Sequence, residues 1–165
     1  MAEYSSYAEL FAALTPAIDI SLKKNVAPVV KDTESKVVNE VLDEYHSTSL
    51  HPYERRETGG LDDVTNMNDT VENGVLIVEN DTTFNQTQLN NPNYHSSSDG
   101  VGLAGLVQYG DGWNGFKYDY AFGSNSDEFT KPRDIIEKTT ERLVEEGTYL
   151  EAFKDGLRLQ GFEVK

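Results

Sequence analysis

The chain has 165 residues, with 14 Lys and Arg against 29 Asp and Glu, for a formal net charge of −15. That length suits a single domain with its own core, and that acidity disfavours non-specific nucleic-acid binding and docking on an anionic membrane. Cysteine is absent, which excludes a disulfide scaffold, a Cys-based zinc site, a thiol nucleophile and an iron–sulfur cluster.

Residues 4–46 read as helix. Leu10, Leu14, Ile18, Leu22 and Val26 recur every fourth position, and Val30, Val37, Val41 and Tyr45 extend the stripe. Thr15-Pro16 reads as an N-cap followed by proline at the first helical position, so the helix is expected to restart there. Pro28 is expected to kink the long segment or end it. On the polar face Lys36 and Glu40 are spaced to pair. Residues 47–60 form a connector that closes on Thr58-Gly59-Gly60, a turn in which glycines permit positive φ.

Val75-Leu76-Ile77-Val78 is a strand of a length suited to burial on both faces. Asn73-Gly74 before it predicts a tight hairpin, with the partner strand running from about Leu61 to Val71, weakly patterned and with room for a bulge. Residues 81–104 are polar and Asn-rich and read as a mobile loop. Leu103 to Tyr109 is one helical turn or a short strand, and Phe116, Tyr118, Tyr120 and Phe122 alternate as a strand does.

Helix returns over 129–165. Pro132 fits a first turn. Ile135, Ile136, Thr139 and Leu143 make one face, and Gly147 is the stop. Leu150, Phe153 and Leu157 share a face of a second helix, Gly161 breaks it, and Phe162-Glu163-Val164 adds a short edge strand. The expected fold is α+β: a small antiparallel sheet, a long kinked N-terminal helix, and C-terminal helices packed on one face, all in one domain.

Charge is distributed unevenly. Residues 57–126 carry 10 acids and the single base Lys117, whereas each flanking stretch nets only −3. The middle therefore reads as a solubilising acidic field, or as a surface that repels a polyanion or meets a basic partner. His46, His51 and His95 have no metal-ligand spacing, and Asp62, Asp63, Asp69 and Glu72 read as solvated charge around the hairpin. Gly110-Asp111-Gly112 lacks the full calcium-loop spacing, and Gly100-Val101-Gly102 lacks a preceding strand. No catalytic residue, metal site or cofactor is expected, and the protein is read as not an enzyme. The start, Met1 to Ser6, lacks the basic and apolar regions of a secretion signal, so synthesis in the cytoplasm is expected. Tyr53-Glu54-Arg55-Arg56-Glu57 holds paired arginines beside the acidic middle, suited either to ion pairs within the chain or to an inter-subunit clamp.

These features together resemble a known family. The long N-terminal helix with Tyr45, Tyr53, Arg55-Arg56, Gly59-Gly60-Leu61, Val64 and Asn66 resembles the neck and tail-completion proteins of long-tailed bacteriophages. Those proteins are also known as minor capsid or head–tail joining proteins. Leu103, Leu106-Val107 and Gly110 resemble that family's central segment, and Phe129 with Lys131-Pro132-Arg133-Asp134-Ile135-Ile136 resembles its closing motif. The resemblance spans roughly residues 8–160, and the Asn-rich loop 81–104 departs from it.

The resemblance implies a structural virion protein, hexameric or otherwise ring-forming, between the head connector and the tail tube or tail terminator. It further implies that DNA passes through an acidic lumen without specific binding, and phage tail-like particles are similar in their parts. It implies an inter-subunit interface at Tyr53, Arg55, Arg56, Gly59, Gly60, Leu61, Pro132 and Arg133, with Ile136 helping to orient the last helix. A tail terminator that caps the tube is the alternative within this class. An acidic DNA mimic that blocks a basic host protein is the alternative outside it.

Overall fold

The computed structural model describes residues 4–48, 59–82, 108 and 132–164, with backbone alone for 45–48. Helix α1, Tyr7–Ser21, begins where Ser6 accepts a hydrogen bond from the Glu9 N–H, while Glu9 accepts from the Ser5 N–H and hydroxyl. These bonds satisfy donors that a helix start leaves open.

The expected restart at Thr15-Pro16 does not occur, because α1 runs through it. The Thr15 hydroxyl donates back to the Phe11 carbonyl at 2.9 Å instead of capping a new helix. Pro16 forfeits the bond to the Ala12 carbonyl, but both residues are exposed and water can serve that oxygen.

The interruption near Pro28 takes the form of a π turn, Leu22–Val26, whose closing bond runs from the Ala27 N–H to the Leu22 carbonyl. Helix α2, Ala27–Thr48, then carries Pro28 in its first turn. A proline cannot supply the next regular bond, so the widened turn falls where the ladder breaks anyway. Together α1, the π turn and α2 make one interrupted helical rod.

After the described part of the connector resumes at Gly59, the strand expected from about Leu61 begins only at Met67, because Asp63 caps a short 3-10 turn, Val64–Asn66, first; β1, Met67–Glu72, then pairs antiparallel with β2, Val75–Asn80. Glu72 pairs with Val75, so the loop is Asn73-Gly74 alone, with φ of 54° and 76°. Positive φ at both positions defines the type I′ turn that Asn-Gly favours.

Burial on both faces of Val75 to Val78 is not what forms. Leu76 and Val78 are half-buried toward the rod, but Val75 is 57% and Ile77 42% exposed. Among the described residues the sheet has two strands and packs on the rod on one side, so alternation leaves its second face open.

Helix α3, Ile135–Glu146, and helix α4, Thr148–Leu159, fold back along the rod, α3 on α2 and α4 on α1 and the π turn. Pro132 precedes α3 instead of entering its first turn, since Asp134 is the N-cap. Gly147, at φ 62°, ends α3 by donating its N–H to the Leu143 carbonyl at 3.0 Å, and α4 starts at once. Ile135 and Thr139 are buried against α2, whereas Ile136 is 56% exposed, because it lies a further step round the helix. Leu150 likewise points outward at 49% exposure, while Leu157 is buried.

Phe162 to Val164 form no strand. Gly161 and Phe162 donate back to the Arg158 and Leu157 carbonyls, a Schellman cap that consumes the backbone groups a strand would need. The Phe162 ring stacks on Tyr4, with centroids 6.2 Å apart.

The core lies between α2 and α3: Val37, Val38, Val41, Leu61 and Ile135 are buried together. Lys36 pairs with Asp32 instead of Glu40, which the Arg142 guanidinium takes with two bonds of 2.9 and 2.6 Å. The mobile loop expected at 81–104 falls, beyond Thr82, outside the described residues, as does the strand expected from Phe116 to Phe122. Gln108, within the Leu103–Tyr109 stretch, is helical.

Candidate functional site

Of the corner residues expected from sequence, Tyr53, Arg55 and Arg56 lie outside the described residues. The others converge at the α2–α3 end of the molecule. Gly59, at φ 70°, donates its N–H to Asp63 Oδ2 at 2.8 Å. The Gly60 carbonyl accepts from the Asp63 N–H, the Asn66 amide and the Thr82 hydroxyl. The Leu61 side chain enters the chain's own core beside Ile135, and its carbonyl accepts from the Asn80 amide at 2.9 Å. Pro132 is exposed, and the Arg133 N–H donates to the Gln108 carbonyl. The Gly59 turn and the start of α3 are thus joined through Leu61 and Ile135.

Gln108 organises the start of α3. Asp134, in the left-handed region at φ 37°, supplies no side-chain cap. The Gln108 side chain substitutes: its oxygen accepts from the Ile136 N–H at 3.0 Å, and its amide donates to Glu137 at 2.8 Å. That bond holds the Glu137 carboxyl below its ordinary value.

Several acids of the middle segment are engaged locally. Asp69 pairs with Lys31 on the rod, Asp81 accepts from Asn68, and Asp63 accepts from Thr65 and Gly59. The bonds to Thr65 and Gly59 lower the Asp63 carboxyl. Glu34, half-buried on α2 beneath the hairpin, is raised above its ordinary value by burial, opposed by the Asn80 amide. Glu72 and Glu79 stand exposed on the outward hairpin face with Val75 and Ile77.

Period-two alternation after a two-residue turn contained the signal for that outward apolar face. A second surface is legible only in the structure. Lys31, Lys36, Lys138, Arg142, Lys154 and Arg158 each lie within 4.0 Å of an acid. Lys23 and Lys24, exposed on the π turn, have no such acid among the described residues. No group of three metal-ligating side chains occurs among the described residues, and no described helix is long and apolar enough to cross a membrane.

What this arrangement offers is surface: an apolar and acidic sheet face, a pair of cations without an acid partner among the described residues, and a braced corner at α3. No curated protein and no solved structure matches the chain. Residues 6–159 match the family model YomN, a name derived from a Bacillus phage. That match covers most of the chain and includes the rod, the hairpin and both C-terminal helices, so the chain belongs to the YomN family and is a phage-associated protein.

Proposed function

We propose that the protein is a structural neck or tail-completion component that joins the head connector to the tail as a homo-oligomeric ring. Membership of a phage-associated family over residues 6–159 carries this reading. The surface chemistry supports it. Val75 and Ile77 are left open on a short sheet, as in a subunit that completes its packing against a neighbour. A net charge of −15 suits a lumen through which DNA slides without sticking.

In this role the protein is not an enzyme, and its site is the corner between subunits. Gly59, Pro132 and Arg133 lie at that corner and Leu61 braces it from inside, and the same reading assigns Tyr53, Arg55 and Arg56 to the interface. The test is a phage or tail-like particle lacking this gene. Filled heads and finished tails that accumulate unjoined, and join when purified protein is added, are the expected result. Normally joined particles, or a gold label on the protein anywhere but the joint, would overturn it.

A further inference from the structure

We infer that successive copies meet head to tail, Lys23 and Lys24 of one π turn seated on the outward hairpin face of the next. The inference rests on the self-assembly in the proposed function, and not on the place of the ring in the particle.

The two surfaces complement each other in charge and in polarity. On the rod, Lys23 and Lys24 have no acid partner among the described residues, and Ile20, one turn before Lys24, is 42% exposed. On the hairpin, pairing of Glu72 with Val75 and of Thr70 with Ile77 puts all four side chains on one face, joined by Glu79. Both glutamates are exposed, and neither has a cation partner among the described residues. An isoleucine beside two lysines thus faces a valine and an isoleucine beside two glutamates.

The hairpin's other face packs on the π turn and α2, so the outward face points away from its own rod. Among the described residues neither Lys23 nor Lys24 makes an ion pair with Glu72 or Glu79 of its own chain. The partner that satisfies them is a second copy, since DNA approaching these two lysines meets a chain of net charge −15. Two different patches in contact make a heterologous interface, the kind that builds rings or filaments instead of closed pairs.

The test is a charge swap in the full chain, followed by sedimentation velocity over a concentration series. Lys23→Glu with Lys24→Glu, and separately Glu72→Lys with Glu79→Lys, should each weaken self-association by at least about tenfold. Each variant should keep the wild-type circular dichroism spectrum, since all four side chains are exposed. An equal mixture of the two variants should associate again, because each swapped face then meets its opposite. Added salt should weaken the wild-type assembly.

Four outcomes would overturn the inference: a wild type that stays monomeric throughout, swaps that leave association unchanged, a mixture that fails to recover, or lysine swaps that abolish duplex binding while assembly persists. Failure of the swaps or of the mixture leaves the neck role standing, whereas a wild type that stays monomeric counts against the ring as well. A label found away from the joint removes the neck role and leaves the charge-swap result intact.

Discussion

The rod receives its two C-terminal helices in opposite ways. Against α2, helix α3 docks by side-chain volume: Val37, Val38, Val41 and Ile135 fill the contact with Leu61, and Arg142 and Glu40 close its rim. Against α1 and the π turn, helix α4 docks by the absence of volume. Gly156 is buried on Ser21 and Asn25 so closely that an added Cβ would lie 2.7 Å from Ser21 Cβ. Ala17 and Ser21 are buried there too, and the Gln160 amide donates to the Ala17 carbonyl, the Ser21 hydroxyl and the Gly156 carbonyl. One contact tolerates the loss of atoms poorly, and the other tolerates their gain poorly.

Substitution should separate the two. Gly156→Val has the largest expected effect, about 3 kcal/mol or more, because backbone and a small side chain have nowhere to retreat. Chemical denaturation would measure it, and hydrogen exchange should show α4 opening ahead of α3. Gly156→Ala sharpens the point by its sign. In an open helix that change stabilises by about 1 kcal/mol, and here it should destabilise. A stabilised Gly156→Ala protein would dissolve the comparison.

Val38→Ala probes the other contact. The side chain is fully buried, and its truncation should cost about 2 kcal/mol, read as a lower denaturation midpoint with unchanged slope. Thr139→Val acts at the same contact in the opposite direction. The Thr139 hydroxyl is buried and has no partner among the described groups, so the isosteric change should stabilise by about 1 kcal/mol.

The smallest effect lies beneath the hairpin. Burial raises the Glu34 carboxyl, so its ionised form opposes folding. That cost is fully present above the raised value and fades as pH falls through the ordinary carboxylate range. Glu34→Gln, which keeps an acceptor for Asn80, should therefore raise the melting temperature slightly at neutral pH and not at acid pH. Thermal melts at the two pH values check it, and an equal gain at both would remove burial as the cause.

Local chemistry made much of the fold legible. Asn73-Gly74 predicted a hairpin turn because the conformation it favours is set within the loop itself, and Gly147 and Gly161 marked helix ends for the same reason. Tertiary competition hid the rest. Lys36 and Glu40 had the spacing to pair, but Arg142, 102 residues away from Glu40, claims that carboxylate and holds it below its ordinary value. Gly156 looks like nothing more than a weak helix former until Ser21 is placed beside it. At the candidate site, Gly60 was legible as a turn residue, yet the three donors on its carbonyl come from Asp63, Asn66 and Thr82, which only the folded chain gathers. In sequence Lys23 and Lys24 look like any charges on a helix's polar side, and their lack of an acid partner among the described residues emerges only from the fold.

The five-residue step from Leu22 to Ala27 has a further consequence. It inserts one residue into an otherwise regular spiral, and each residue of an α-helix turns the face by about 100°. The widened turn absorbs that residue, so the half of the rod that receives α4 keeps the phase relative to the half that receives α3 that a regular helix one residue shorter would have. Deleting one residue between Leu22 and Val26 would restore a uniform pitch and leave every side chain chemically sound. It should therefore leave Ala17 and Ser21 facing Gly156 and both returning helices docked, so that only the stretch carrying Lys23 and Lys24 is presented differently.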